Sequence, residues 1–431
     1  MGNLSKFQLI LIGVFAFFII VGVVVFAFSK GKGQVQAEVT IWGTVPEATF
    51  SKVFVELPLY QDRTVSVRYV EKPQANFSGE YVEALARDAG PDIILAPHEV
   101  ILSERRKLFA IPYNSFPERI FRDTFLEEGE LFFFPEGILG LPLTVDPLLL
   151  YWNRDIFSGA GLAQPPKFWA EFFELSQKLT QRDGLLNITQ SAVALGEYRN
   201  IRGSKELIVT LVMQAGNPIV LKSENAFASV LAETLNKAAP PAESALNFYT
   251  QFSNPAKPFY SWNRSLPDSQ QMFLAGDLAL YTGLASELPL LKLKNPNLNF
   301  DIALLPQSQS DERNSIYGKM LAFAISKQTR NLPAAFKVAT QLIGRDSAKG
   351  FADSLSMAPA RRDLLSRPPG DAFGAVLYQS ALIARGWLDP NQEGTSKIFS
   401  EMIEDTTSGH LRLEQAIRVA AGKISELLKS W

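Results

Sequence analysis

Apolar residues along the chain form two kinds of run, and the two kinds alternate. Short continuous runs, rich in β-branched residues, predict buried strands at Val39–Trp42, Val65–Val70, Ile93–Ala96 and Met320–Ile325. Runs with apolar residues three or four positions apart predict helices at Phe168–Leu179, Ala334–Ile343 and Leu411–Leu428. The alternation predicts an α/β fold with mixed sheets flanked by helices.

The segment Ile138–Phe172 contains an extended stretch, an apolar run and a helix start in direct succession. Proline and β-branched residues predict an extended backbone over Gly140–Asp146, and Leu148–Trp152 is a buried apolar run. Pro165 and Pro166 are placed to open a helix, because proline is favoured in the first helical turn. We interpret the segment as a strand, a crossing between two lobes and a helix.

The N-terminal apolar run matches a membrane in length. Residues 9–28 contain no polar side chain and would rise about 30 Å as a helix, which is the thickness of the hydrocarbon core. We predict a cytoplasmic N-terminus over 1–8, a transmembrane signal anchor over 9–28 and a tether over 29–37. A buried core helix is the alternative interpretation, and cleavage after Ala37 stays open because the residues before it are small.

Length and composition restrict the class of protein. A chain of 431 residues exceeds the size of a single core, so two lobes are expected. The net charge of −2 without a basic cluster argues against nucleic-acid binding. With no cysteine and two histidines, thiol catalysis, disulfides and Cys or His metal sites are not expected. We therefore expect no cofactor and no metal.

Motifs from the strand at Val39 to the C-terminal helix occur in a recognisable order. They are Val39–Gly43, Gly90–Ala96, Gln271–Gly283, Tyr317–Gly318, Met357–Arg361, Ser408–Leu428, and a phrase made of Pro142, Leu143, Thr144, Asn153, Phe157, Gly161, Pro165, Pro166, Trp169 and Glu171. Together they resemble extracellular solute-binding protein family 1, the maltodextrin- and sugar-binding type that feeds ABC importers. The resemblance covers about residues 38–430. Trp152 and Leu149 depart from the pattern, where tyrosine and a small residue are usual.

The resemblance implies a type II periplasmic-binding-protein-like fold, in which two lobes enclose a hinged cleft. The implied bounds are 38–143 plus 304–356 for lobe I and 147–301 plus 359–431 for lobe II. The implied crossings lie near Thr144–Pro147, Ile302–Pro306 and Met357–Pro359. The resemblance also places this body on the extracytoplasmic side of a single-pass membrane anchor.

Ligand-binding residues are implied at strand ends and in crossing segments. In chain order they are Trp42, Thr44, His98, Glu99, Asp146, Glu197, Tyr198, Tyr281, Gly283, Tyr317 and Gly318. Each has a structural alternative: Trp42 and the tyrosines can pack in a core, and Asp146 can cap a turn before Pro147. The proline-flanked loop Ser261–Arg264 is a further candidate, because it combines an aromatic residue with polar ones.

The resemblance implies a monomeric receptor that is not an enzyme. It would bind a small solute, expected to be a carbohydrate, close around it and dock on the subunits of an ABC permease. Two alternatives remain at this point. One is an anchored glycan hydrolase that uses Glu99 and Asp146 as acid and base. The other is a ligand-binding sensor without transport.

Overall fold

The computed structural model describes residues 37–223, 226–309, 314–429 and 431. The predicted cytoplasmic N-terminus, the transmembrane anchor and the tether up to residue 36 lie outside the described residues. Among the helices in these ranges, none combines the length and the apolar composition that a membrane span requires.

The strands are β1 (Ala37–Gly43), β2 (Val65–Glu71), β3 (Ile93–Pro97), β4 (Phe133–Phe134), β5 (Gly137–Ile138), β6 (Leu141–Asn153), β7 (Gln181–Arg182), β8 (Ile188–Val193), β9 (Val220–Lys222), β10 (Phe227–Ser229), β11 (Leu278–Leu284), β12 (Phe300–Ala303), β13 (Ile316–Ile325), β14 (Ala358–Pro359) and β15 (Ala384–Arg385).

The α-helices are α1 (Glu47–Phe54), α2 (Phe77–Ala86), α3 (His98–Ser103), α4 (Glu118–Thr124), α5 (Arg154–Gly159), α6 (Glu171–Leu179), α7 (Ser204–Gln214), α8 (Pro241–Thr250), α9 (Ser269–Ala275), α10 (Leu288–Lys294), α11 (Leu332–Leu342), α12 (Arg345–Leu355), α13 (Arg362–Leu365), α14 (Ala372–Leu382), α15 (Gln392–Thr407) and α16 (Leu413–Lys429). Short 3₁₀ turns lie at Pro58–Gln61, Gln74–Asn76, Arg105–Lys107, Glu127–Phe132, Gln251–Ser253 and Ala285–Glu287.

The main sheet has the strand order β2-β1-β3-β13-β6-β11-β8-β7. β1 is parallel to both β2 and β3, whereas β13 is antiparallel to β3 and β6. β11 is antiparallel to β6 and parallel to β8, and β12 pairs with β6 from its other side. The sheet is therefore mixed, as the alternation of strands and helices predicts.

Strand β6 joins the two halves of the sheet. Its residues up to Pro147 pair with β13, and its residues from Leu148 pair with β11 and β12. All but one of its residues are buried, which fits its continuous apolar sequence. We call β1, β2, β3, β13 and the start of β6 the first half, and the end of β6 with β7, β8, β11 and β12 the second half.

The start of helix α6 differs from the prediction. The helix begins at Glu171, not at Pro165 or Pro166. The Glu171 Oε1 atom accepts hydrogen bonds from Lys167 N (2.9 Å) and Phe168 N (2.8 Å). Trp169 N donates to Gln307 O (3.3 Å), so the residues after the prolines are held in a loop by a distant segment. Local propensity alone does not include this tertiary contact.

The C-terminal third of the chain contacts both halves in turn. Ala360 N donates to Leu143 O (3.0 Å) and Arg362 Nε donates to Phe125 O (2.6 Å), so β14 and α13 lie beside the first half. Further along, α14 contacts β6 and β12, and α15 packs against α7 and α8. The chain thus reaches the second half at α14.

Candidate functional site: a polar cavity at the junction of the halves

A cavity of about 290 Å³ lies where β6 passes between the halves. We call it the junction cavity. It is lined by Leu148, Arg202, Gly203, Glu206, Gly283, Leu284, Glu287 and Lys319. β11 ends here at Leu284, and ligands of open α/β sheets bind at the carboxyl ends of strands. Three larger depressions, of about 600, 470 and 300 Å³, are lined by other residues, none of which lines this cavity.

Lys319 projects from β13, opposite Asp146 of β6, and is half-buried. Burial acts to lower the pKa of Lys319, but surrounding carboxylates outweigh it and raise the pKa, so the side chain is charged. The contributing carboxylates are those of Glu99, Glu206, Asp146 and Glu287. No described residue forms a hydrogen bond or an ion pair with the Lys319 ammonium group, which leaves its donors available to a ligand.

Glu206 lies in the first turn of α7, which packs against β13 and α8. Gly203 precedes the helix with φ +65°, a conformation that favours glycine, and turns the chain so that this helix starts at the cavity wall. Within the described ranges the Glu206 carboxylate has no hydrogen-bond or ion-pair partner. The cavity therefore presents one free anion and one free cation.

Glu287 is held firmly in the turn after β11. Its carboxylate accepts hydrogen bonds from Leu284 N (2.8 Å), Tyr281 Oη (2.5 Å) and Gln270 Nε2 (2.7 Å). The Tyr281 ring is buried and packs on Phe273, so this predicted ligand residue has its hydroxyl engaged by Glu287. A Cβ atom at Gly283 would lie 2.7 Å from the Tyr281 ring, so only glycine leaves this wall open.

Asp146 of β6 is bonded to the turn that follows β11. Its buried carboxylate accepts hydrogen bonds from Ser286 N (3.0 Å) and Ser286 Oγ (2.6 Å), in the turn that follows β11. Burial outweighs these bonds and the nearby Lys319 charge, and raises the pKa of Asp146 to about 6. Both oxygens already have partners, so a ligand role for Asp146 stays a prediction.

Four further polar groups are buried behind Lys319. Tyr317 Oη donates to Glu99 Oε1, and Met320 N donates to His98 Nδ1 (3.2 Å). Burial acts to raise the pKa of the Glu99 carboxylate, but His98, Lys319 and Tyr317 outweigh it and hold the pKa at about 2. The pKa of His98 is lowered because burial outweighs its acidic neighbours.

Glu128 completes this buried group. Neither of its carboxylate oxygens has a partner in the described part of the chain, and burial raises its pKa well above the ordinary value. A Cβ atom at Gly318 would lie 2.7 Å from Ala384 Cβ and 3.0 Å from Glu128 Oε2. The predicted residue Gly318 thus permits close packing around Glu128.

Replacing Glu128 by glutamine should stabilise the protein more at pH 8 than at pH 5. The native state retains a proton on Glu128 that the unfolded chain releases, so the wild-type protein loses stability as the pH rises from the unfolded pKa toward the native one. Melting temperatures of both proteins across this range measure the difference. A constant difference at all pH values would contradict the assignment of a proton to Glu128.

The remaining predicted residues lie outside the walls of the junction cavity. Trp42 lies near the end of β1 with its ring 4.1 Å from Lys72 Nζ, and Thr44 N donates to Leu95 O (3.1 Å). In the second half, Glu197 pairs with Arg264 (3.4 Å) and the Tyr198 hydroxyl bonds to Ser396 Oγ (2.6 Å). Burial raises the pKa of Tyr198 to about 12.

Among the predicted residues, the structure therefore brings Gly283 to the cavity wall and Glu99, Asp146 and Tyr317 close behind Lys319. The sequence analysis missed the four charged wall residues Arg202, Glu206, Glu287 and Lys319. The sequence could have indicated Lys319, because it is the one charged residue in the apolar strand β13. The other three have no such signal, since charged residues in turns and helix starts are usually solvated.

Comparisons with known proteins agree with this architecture. The sequence profile of the bacterial extracellular solute-binding proteins matches residues 65–372. A protein of Brucella abortus (strain 2308), named as a binding protein, is 22% identical over 309 residues, which cover 67% of this chain and 68% of that protein.

Solved structures show the same fold. An ABC transporter solute-binding protein of Thermotoga lettingae, bound with α-D-tagatose, is 22% identical with a TM-score of 0.66, covering 91% of this chain and 100% of that one. A cyclic α-maltosyl-1,6-maltose binding protein of Arthrobacter globiformis is 15% identical with a TM-score of 0.74, covering 92% and 100%. The fold is therefore the two-lobed α/β fold of solute-binding proteins.

The profile match confirms the resemblance inferred from the motifs. It also confirms a binding protein rather than an enzyme, and it implies a body on the extracytoplasmic side. With the matched residues spanning most of its length, this chain belongs to the bacterial extracellular solute-binding proteins.

Proposed function

We propose that this protein captures a sugar or a short oligosaccharide in the junction cavity and presents it to an ABC permease. Residues 9–28 would hold it at the membrane, as their apolar sequence indicates. The lobes proposed are 38–143 plus 304–356 and 147–301 plus 359–431. The contacts of β14 and α13 favour extending lobe I through residue 365.

One observation carries the proposal: the Lys319 ammonium and the Glu206 carboxylate, which have no hydrogen-bond or ion-pair partner among the described residues, line the same cavity. A sugar hydroxyl both donates and accepts hydrogen bonds, so neighbouring hydroxyls can satisfy a cation and an anion together. Leu148 and Leu284 supply apolar surface for the C–H groups of the ring. The structures bound to tagatose and named for a maltosyl sugar support the same class of solute.

The cavity walls come from both halves, which links binding to closure. Lys319 belongs to β13 of the first half, whereas Gly283 and Leu284 at the end of β11 belong to the second half. A solute that contacts both favours the arrangement in which the halves are close. The extended strands β6 and β13 at the junction are the segments about which the halves would turn.

Replacing Lys319 by methionine or Glu206 by glutamine should weaken sugar binding about tenfold to a hundredfold. Each change removes a hydrogen bond to a charged group, which contributes about 1.5–3 kcal/mol. The experiment first finds a binding sugar among D-tagatose, D-glucose and maltose by its increase in melting temperature. Calorimetry with that sugar then compares the variants with the wild type.

The matched control is Lys292→Met, on the exposed face of α10 outside the cavity. It should bind the sugar as the wild type does. If Lys319→Met and Glu206→Gln also bind with unchanged affinity, the junction cavity does not hold the sugar.

A further inference from the structure

We propose that the solute of the junction cavity carries a basic nitrogen, as an amino sugar or a related polyhydroxylated amine does. This inference rests on the proposed function, since it names the class of solute for the same cavity. It comes from the excess of carboxylates over cations around the cavity and from which of these carboxylates can still accept a hydrogen bond.

The charges around the cavity are predominantly negative. Of the two cationic wall residues, Arg202 is paired with Asp268 (3.0 Å), so its charge is largely compensated. The remaining cation, Lys319, is surrounded by the carboxylates of Glu99, Asp146, Glu206 and Glu287. Because charges in a partly enclosed site interact over several ångströms, this excess of carboxylates attracts a cationic solute and repels an anionic one.

The carboxylates differ in whether they can accept a new donor. Both oxygens of Asp146 and of Glu287 already accept hydrogen bonds from the protein. Glu99 is fully buried behind the wall, with one oxygen bonded to Tyr317. Glu206 alone among the four both lines the cavity and lacks a partner in the described residues. It is therefore the group that an ammonium of the solute would meet.

Lys319 has a different role in this arrangement. Its charge is already balanced by the carboxylates around it, so it acts as a hydrogen-bond donor to a hydroxyl oxygen. An ammonium on Glu206 adds the attraction of opposite charges to the hydrogen bond that a hydroxyl would also make. The cavity should thus prefer an amino sugar to the neutral sugar, and the neutral sugar to its acid.

The test uses D-glucosamine, D-glucose and D-glucuronate, which share one ring type and differ in charge. Calorimetry near pH 7, where most of the amine is protonated and the Asp146 carboxyl is ionised, should give about tenfold or greater preference for glucosamine over glucose. Glucuronate should bind weakest. In Glu206→Gln the preference for glucosamine should fall to within about twofold, whereas Glu174→Gln, an exposed substitution on α6, should retain it.

Three results would overturn the inference alone, and a fourth would overturn the proposed function with it. Equal affinity for glucosamine and glucose, or tightest binding of glucuronate, would contradict it and leave sugar capture intact. The same holds if none of the three binds while maltose or D-tagatose raises the melting temperature. If no sugar binds at all, the proposed function and this inference both fail.

Discussion

Replacing Lys205 by methionine should lower the free energy of unfolding by about 3–5 kcal/mol. Lys205 Nζ lies 2.6 Å from Asp389 Oδ2 and 2.8 Å from Thr395 Oγ1, and Asp389 is fully buried. Without the ammonium group, the Asp389 carboxylate would remain in the interior without its counter-charge. Urea unfolding of the two proteins measures the loss.

Lys397→Met is the control, since Lys397 is a highly exposed lysine on α15. Its effect should stay within about 0.5 kcal/mol. The double variant Lys205→Met with Asp389→Asn should recover part of the lost stability, because the uncompensated charge is removed. Equal effects of the Lys205 and Lys397 substitutions would contradict a stabilising role of the buried pair.

The second large effect is expected for Trp262→Ala, which should cost about 3–5 kcal/mol. Trp262 is fully buried, and its Nε1 atom donates to Asn200 Oδ1 (3.1 Å). Truncation leaves a cavity in the core and removes the hydrogen bond to the partly buried Asn200 side chain. The free energy of unfolding from denaturant titration measures the effect.

Tyr60→Ala removes an aromatic ring that is 58% exposed and should cost far less, about 1 kcal/mol or below. Trp262→Phe should fall between the two, because it retains part of the ring volume. If Trp262→Ala were as mild as Tyr60→Ala, the ring would not be in the core.

The pattern of apolar residues predicts the sheet well where packing agrees with local preference. β6 is an example: Leu141–Asn153 is apolar on both faces, as a strand covered on both sides must be. The same logic holds for β3 and β13. The predicted start of α6 was wrong because Trp169 N donates a hydrogen bond to Gln307 O, and a local sequence pattern does not contain this distant contact.

The site was harder to predict from the sequence than the fold. Lys319 and Glu206 resemble ordinary surface residues until the folded chain places both on one cavity. Trp262 shows the converse, because an aromatic residue in a proline-flanked loop suggested a cleft position, yet it is in the core. Tyr281 is near the cavity, but its ring is buried and its hydroxyl is bonded to Glu287.

The most direct test of closure is a distance measurement between the two halves. The chain has no cysteine, so Lys52→Cys on α1 and Lys178→Cys on α6 give two unique sites for spin labels. We predict that saturating sugar, chosen as the one that raises the melting temperature most, shifts the distance distribution to a single narrower population. Lys319→Met should need about tenfold to a hundredfold more sugar for the same shift. An identical distribution with and without a sugar that calorimetry shows to be bound would contradict closure around the junction cavity.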